Sequence, residues 1–241
     1  MRMSALESNG ILVVDKGQGW TSHDVCALIR SRFHIQKVGH AGTLDPLATG
    51  VLIVLLGQAT KLSQELSSCD KEYFGTFELG MKTDTHDISG TVLQKADWNH
   101  VTKKDLEEAF QKFEGVLEQT PPMVSALKHQ GVRLYRLARA GKVVDRPKRM
   151  VTVHELKIEA IELPKVRFFA RVSKGTYLRT LVHDLGEGLG TGAVLTELRR
   201  VRSGVYTLNE AVPTDRLKTM AFEELKPLIK NLKNLARASV G

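Results

Sequence analysis

Apolar runs and polar punctuation divide the chain into short segments whose periods switch between two and about 3.6 residues. "GILVVDK" (10–16) predicts a short buried strand that ends in charge. "TSHDVCALIRSRF" (21–33) predicts a helix, with Thr21 or Ser22 as N-cap and Val25, Leu28 and Ile29 as its apolar stripe. "GVLIVLLG" (50–57) is apolar at every position between its glycines, the pattern of a central strand buried on both faces. "KEYFGTFELG" (71–80) and "VRFFARVS" (166–173) alternate as half-exposed strands do, and "MVTVHELKIEAI" (150–161) is a further strand. "TKKDLEEAFQKFEGVL" (102–117) predicts a helix opened by a Thr102–Asp105 capping box, with Leu106, Ala109, Phe110 and Phe113 facing inward. "TYLRTLVHDLGEGLG" (176–190) predicts another, with Leu178, Leu181, Val182 and Leu185 inward and glycines ending it. The segments lack a regular strand–helix–strand rhythm. The expected fold is therefore α+β, with a mixed, largely antiparallel central sheet and flanking helices.

From Ala221 to Ala238, Phe222, Leu225, Leu228, Ile229, Leu232 and Leu235 keep helical spacing, and Pro227 either interrupts that helix or starts its second half. With no internal repeat or low-complexity segment, the expectation is one domain over 1–241, with a helical tail over 218–241. The start "MRMSALESNG" holds no apolar stretch of signal-peptide type, and no apolar run is long enough to span a bilayer. The two cysteines, Cys26 and Cys69, have no metal-ligand or redox-motif spacing. These features predict a soluble, intracellular protein.

Charge changes the picture in one place. The chain carries a net +8, from 35 Lys and Arg against 27 Asp and Glu. Between residues 128 and 149 stand Lys128, Arg133, Arg136, Arg139, Lys142, Arg146, Lys148 and Arg149, against Asp145 alone. That stretch is +7, so the other 219 residues together carry +1. A run of charge is often no more than a solvated face. This one interleaves Leu134, Tyr135 and Leu137 and contains Gly131, Gly141 and Pro147, which suits a projecting basic insertion near 120–150 that clamps phosphates.

The candidate chemistry begins at "HAGTLDPLATG" (40–50), which sets one carboxylate, Asp45, at the mouth of the most apolar strand. Pro46 biases Asp45 toward an extended backbone, and Gly39 and Gly42 allow a tight turn or a close approach to a ligand. Taken locally, a turn or capping aspartate is the ordinary reading. An aspartyl-phosphate nucleophile is an alternative; it would need metal-binding carboxylates, for which "TDTHD" (83–87) offers Asp84, His86 and Asp87, equally an Asx-turn. A buried, ionised Asp45 needs a cation, and Arg179, in the first turn of the 176–190 helix, is one candidate. Tyr73, Tyr177, His40 and Leu198 are unremarkable singly, the aromatics as sheet or helix packing and Leu198 as core.

Together the motifs are not independent. "GHAGTLDPLATGVL" closely resembles the active-site motif of the bacterial TruB-type tRNA pseudouridine synthases. So do "DKGQGWTSHDV" (15–25), "KEYFGTFELGMKTDTHDISG" (71–90), "QTPPMVSALKHQGVRLYRLARAGKVVDRP" (119–147), "SKGTYLRTLVHDLGEGLG" (173–190) and "LTELRRVRSG" (195–204). The segments follow the family's order across residues 10 to 217, far beyond a chance motif match.

The resemblance implies that one uridine of the tRNA T-loop, position 55, becomes pseudouridine: the glycosidic bond breaks, uracil rotates and rejoins the ribose through carbon 5. No cofactor and no metal is implied. Asp45 matches the family's essential aspartate and Arg179 the arginine paired with it, a pairing that keeps the acid charged in a dry pocket. The target base must be flipped out of its stack. His40 matches the residue that takes its place, Tyr73 the ring that stacks on it, and Tyr177 and Leu198 positions of the pocket wall; Lys16 belongs to the first motif and to the substrate site. The basic insertion matches the family's RNA-gripping thumb.

Two departures stand out. Gly17 follows Lys16 where the family reads DKP, which loosens a turn without removing a chemical group. Only about 25 residues follow Leu217, too few for the PUA RNA-binding domain of many bacterial relatives. The resulting expectation is a cytoplasmic monomer acting on the T-arm of tRNA, with no obligatory protein partner. A non-catalytic RNA binder or tRNA-folding chaperone is the rival; it would keep the thumb but would not need Asp45, Tyr73 and Arg179 together.

Overall fold

The structure is a computed structural model that describes residues 9–125, 127–142 and 144–231. Its strands in chain order are β1 (Gly10–Lys16), β2 (Val38–Ala41), β3 (Thr49–Leu56), β4 (Lys71–Leu79), β5 (Met81–Thr83), β6 (Val92–Lys95) and β7 (Gly115–Gln119). They continue with β8 (Lys128–His129), β9 (Val132–Arg133), β10 (Arg149–Glu162), β11 (Lys165–Val172), β12 (Ala193–Ser203), β13 (Tyr206–Thr207) and β14 (Val212–Pro213). The α-helices are α1 (Ser22–Phe33), α2 (Ser63–Ser67), α3 (Lys103–Lys112), α4 (Leu134–Arg139), α5 (Leu178–Gly188), α6 (Thr214–Leu217) and α7 (Phe222–Leu225). The fold is α+β, with mixed and largely antiparallel strand pairing.

The chain divides into two units, residues 1–71 with 199–241, and residues 72–198; the boundaries fall inside β4 and β12. In the first unit, β3 runs antiparallel to β1 from Gly10↔Leu56 to Lys16↔Gly50. Its side chains from Gly50 to Leu56 are buried, as the unbroken apolar run predicts. On the other edge of β3, β2 pairs antiparallel from Val38↔Leu56 to Ala41↔Ile53, and β12 pairs parallel at Arg199↔Thr49 and Arg200↔Gly50. Gly50, at φ +99°, sits where a Cβ would collide with the backbone carbonyl of Arg200, so only glycine permits this approach. Helix α1 opens on the capping box of Thr21 and Asp24, and Val25, Cys26, Ile29 and Phe33 form its buried face.

The tail does not continue as one helix. Helix α7 spans Phe222–Leu225, Pro227 lies in a 3-10 turn, and Ile229 is extended. Lys230 then exchanges two backbone hydrogen bonds with Ile11 at the edge of β1 (2.9 and 2.8 Å). The expected continuation through Leu232 and Leu235 lies outside the described residues.

In the second unit the sheet order is β12-β4-β11-β10-β7. Strands β10 and β11 form a long antiparallel pair with two bulges, and β7 adds antiparallel to β10. β4 alternates as read from the sequence, burying Tyr73, Phe77 and Leu79 and exposing Phe74. Phe77 packs on Phe110 of α3 and Phe168 of β11, with ring centroids 6.2 and 6.0 Å apart. Helix α3 starts at its predicted Thr102–Asp105 box but ends at Lys112. The segment expected to extend it instead turns at Gly115 (φ +93°) into β7.

Candidate active site

Asp45 sits on the loop 42–48, which leaves the sheet where the edge of β3 passes from β2 to β12. Every side of that loop is tied down. Ser22 Oγ accepts from Leu44 N (2.9 Å) and donates to Leu44 O (3.1 Å). Gly19 N donates to Pro46 O (2.8 Å), and Gly42 N donates to Ser67 Oγ (3.0 Å). Ala48 N donates to Asp45 O (3.1 Å), which closes a tight turn. Leu44 and Ala48 are buried on either side, which leaves Asp45 half-buried between two apolar pins. The turn that the local pattern predicts is therefore present, and it does not exhaust the residue.

Two cations of the first unit act on this turn from inside the protein. Arg200 is 1 % exposed, with Nε donating to Val51 O (2.7 Å) and Nη2 to Gly42 O (2.9 Å). Lys16 is fully buried, and its Nζ donates to Gly17 O (3.0 Å) and Trp20 O (2.7 Å). Burial pushes the Lys16 ammonium down to about 8; the charge of Asp45 works against that shift and the charge of Arg200 adds to it. Lys16 thus feels the charges of both Asp45 and Arg200, and Arg200 reaches the same loop through Gly42 O. Gly42 supplies the left-handed backbone of this corner, at φ +72°. Lys71, also buried, donates to Ser67 O (2.7 Å) and Cys69 O (2.6 Å). His40 lies on β2 opposite Val54, half-buried, with its carbonyl accepting from Ser63 Oγ (3.1 Å).

The first motif is held at three successive peptides. Gly17 N donates to Thr214 Oγ1 (3.2 Å), Thr214 Oγ1 donates to Asp15 O (3.0 Å), and Lys16 takes the Gly17 carbonyl. The N–H that a proline would lack is thus used, and the turn that Gly17 is expected to loosen is clamped.

The other candidates belong to the second unit. Tyr73 is buried on β4, on the same face as Phe77; Leu198 is half-buried on β12. Tyr177 caps α5 with its backbone. The buried Gln119 holds that cap through Oε1 to Tyr177 N (2.8 Å) and Nε2 to Tyr177 O (3.1 Å). Two residues on, Arg179 is 3 % exposed. It donates from Nη1 to Thr85 O (2.8 Å) and from Nη2 to Val124 O (2.9 Å), and its Nε lies 3.6 Å from Asp87 Oδ2. In "TDTHD", Asp87 Oδ1 accepts from Ser89 N, Ser89 Oγ and Thr85 Oγ1, and Asp84 Oδ1 accepts from Thr91 N. Asp87 is thus engaged by the turn and by Arg179, and among the described residues no group of three or more His, Cys, Asp or Glu could hold a metal ion.

In the basic insertion, β8 and β9 form a hairpin whose two loop residues, Gln130 and Gly131, both have positive φ. Arg133, Arg136, Lys142, Lys148 and Arg149 are exposed. Arg146 is half-buried and donates to Pro121 O (3.0 Å), while Lys148 pairs with Glu118 (2.8 Å).

Sequence reasoning missed Arg200, Lys71, Ser22, Thr214 and Gln119 as parts of this machinery. Arg200 stands in "LTELRRVRSG", but nothing in the pattern distinguishes it from its neighbours.

Among known proteins, a family described as TruB family pseudouridylate synthase (N terminal domain) matches residues 30–178. One described as tRNA pseudouridylate synthase B C-terminal domain matches 179–235. The tRNA pseudouridine synthase B of Geobacter sulfurreducens is 48% identical over 213 residues, 88% of this chain and 70% of that protein. That of Opitutus terrae is 43% identical over 235 residues, 98% of each. Among solved structures, a chain of a Cbf5-Nop10-Gar1 complex matches with TM-score 0.71 and 30% identity, covering 94% of this chain and 61% of that one. A chain of an H/ACA RNP bound to a substrate RNA containing 2'-deoxyuridine matches with TM-score 0.65 and 29% identity, covering 88% and 52%. The present chain thus spans between half and two thirds of those structural relatives.

Proposed function

The chain belongs to the TruB family of pseudouridylate synthases, and we propose that it converts uridine 55 in the T-loop of tRNA to pseudouridine. The reaction is an isomerisation. The bond from uracil N1 to ribose C1′ breaks and a bond from C5 to C1′ forms; C5 loses a proton and N1 gains one. Atoms and electrons balance within the substrate, so the chemistry calls for no redox cofactor. Its demands on the protein are an aimed carboxylate, a pocket for an unstacked base, and a grip on the RNA backbone.

The observation that carries this reading is the setting of Asp45: a half-buried carboxylate on a pinned turn, electrostatically coupled to buried Lys16, with buried Arg200 holding the loop backbone at Gly42. A capping aspartate needs none of that support. Preorganisation of this kind suits a group that must meet a reacting centre in one orientation. In this reading Asp45 is the essential carboxylate and Arg179 its catalytic cation. Tyr73 is the ring that stacks on the flipped base, His40 the side chain that replaces it in the loop, and Tyr177 and Leu198 are walls. Lys16 serves the substrate site by supporting the Asp45 turn. The exposed cations of the insertion, Arg133, Arg136, Lys142 and Arg149 among them, bind phosphates; Lys128, Arg139 and Lys148 complete that set, while Arg146, whose guanidinium takes Pro121 O, holds the insertion in place. No helix among the described residues is long and apolar enough to cross a membrane. The reading extends to a single catalytic domain with its insertion, working in the cytoplasm as a monomer.

The test is incubation of the purified chain with an unmodified tRNA transcript, followed by carbodiimide modification and primer extension. A carbodiimide-dependent stop one nucleotide 3′ of position 55 supports the proposal. A transcript that stays unmodified while binding persists would return the protein to the class of RNA chaperones.

A further inference from the structure

Next to Arg179, two imidazole rings lie flat on each other. The centroids of His86 and His183 are 3.9 Å apart and their planes differ by 4°. Both residues are half-buried, and neither buried Nδ1 has a hydrogen-bond partner among the described residues. His86 presents its ring from a backbone at φ +62°, a region that costs a non-glycine residue about 1 kcal/mol or more and is retained where the surroundings demand it. The charged groups facing the pair are Arg179, Arg146, Asp87 and Asp184. Burial, followed by the effects of His183 and the two guanidiniums, pushes His86 down to about 3. A neutral ring can pack beside Arg179 without adding a like charge.

The position of the stack says what it does. His183 lies four residues beyond Arg179 on α5, so both project from one face of the helix, a turn apart. The 84–91 loop meets α5 at those same two points: Thr85 O takes Arg179 Nη1, and the His86 ring takes His183. On its other side the loop is clipped to β12, with Leu195 N donating to His86 O (3.2 Å) and Ile88 N to Leu195 O (2.9 Å). Thr85 and Asp87, the chain neighbours of His86, are the two loop residues that hold the guanidinium. A shift of His86 therefore moves both.

We propose that His86 and His183 are a positioning pair for Arg179: their ring-on-ring contact fixes the 84–91 loop against α5, so that Thr85 and Asp87 hold the guanidinium in its working orientation. The inference rests on the reading of Arg179 as the catalytic cation. Neither imidazole touches the reacting atoms; both act through the loop.

The test uses the full chain and an unmodified tRNA transcript, with single-turnover rate, tRNA Kd and thermal midpoint measured for each variant. His183→Ala is expected to slow pseudouridine formation between about 10- and 100-fold, the scale of a misplaced catalytic group, with Kd unchanged. His183→Phe keeps a flat ring and is expected to recover most of that loss. His86→Gly removes the ring and the left-handed strain together, so its thermal midpoint is expected to stay near that of the wild type, and it is expected to be as slow as His183→Ala. The double variant should be no slower than either single, because both break the same ring pair. Wild-type rates in His183→Ala or His86→Gly overturn the inference, as does a His183→Phe variant no faster than His183→Ala. If the wild-type chain itself makes no pseudouridine, the functional reading fails and the inference falls with it. A wild-type chain that turns over normally beside fast His variants sinks the inference alone.

Discussion

Arg200 donates from Nη2 to the carbonyl of Gly42 at 2.9 Å, and so ties the turn that carries Asp45 to the far end of β12. The same guanidinium reaches Val51 O at 2.7 Å, so one buried side chain bridges the exit and the re-entry of the 42–48 loop. A lysine cannot reproduce this, because its single ammonium lacks the fork that spans two carbonyls. Arg200→Met leaves both carbonyls buried and unsatisfied and should cost about 3 kcal/mol of stability. Arg200→Lys should cost about 1–2 kcal/mol and still lower the rate of pseudouridine formation, because the loop loses one of its two ties. Urea midpoints and single-turnover rates on the two variants check both statements.

Lys16 makes stability depend on alkaline pH with a definite sign. In the unfolded chain its ammonium keeps the proton to about 10.5, whereas in the folded protein burial releases it at about 8. Between those values the unfolded state binds more protons, so this group's contribution to stability rises as pH increases from 8 to 10.5. The rise is on the order of 3 kcal/mol. Below pH 8 the charged ammonium is a burden that the two carbonyls and the charge of Asp45 only partly offset. Chemical denaturation across that window should therefore show a steeper rise for the wild type than for Lys16→Met. In Asp45→Asn, which removes the anion that favours the charged lysine, the rise should begin at a lower pH.

How much of this was legible in the sequence follows from where each signal resides. The β3 strand, the Thr21 and Thr102 caps and the alternation of β4 are written locally, in periodicity and capping chemistry. The site candidates came from motif resemblance. What the pattern hid was buried charge. "LRRVRS" reads as solvated, yet its Arg200 is almost fully enclosed, because its partners, Val51 and Gly42, lie about 150 residues away in the chain. Asp87 was hidden by the opposite ambiguity: "TDTHD" fits both a metal set and an Asx-turn, and only the arrival of Arg179 shows what the second carboxylate oxygen does. The end of α3 was overrun because "FEGVL" continues the apolar stripe, and the left-handed Gly115 that turns the chain into β7 carries no periodic signature.

The basic insertion should not behave as a uniform patch. Arg136 and Lys142 are exposed, whereas Arg146 is half-buried on Pro121 O and Lys148 is engaged with Glu118. Arg136→Ala and Lys142→Ala together should weaken tRNA binding and flatten its salt dependence, by a slope of about 0.7–0.9 for each phosphate that is no longer neutralised. Arg146→Ala should instead lower the thermal midpoint and change the salt slope little. Binding isotherms at a series of salt concentrations separate the two behaviours. An unchanged slope in the double variant would mark the insertion as an ordinary solvated face.

On the proposed function, Asp45 is a reacting carboxylate as well as a residue of its turn. Asp45→Asn keeps the side chain's size, and the turn's own hydrogen bond runs through the Asp45 backbone carbonyl to Ala48 N, so the loop should keep its shape. The direct measurement is the single-turnover yield of pseudouridine by Asp45→Asn on an unmodified tRNA transcript, with tRNA Kd determined in parallel. Wild-type binding with no detectable pseudouridine is the expected result; robust turnover by Asp45→Asn would leave Asp45 as a turn residue only.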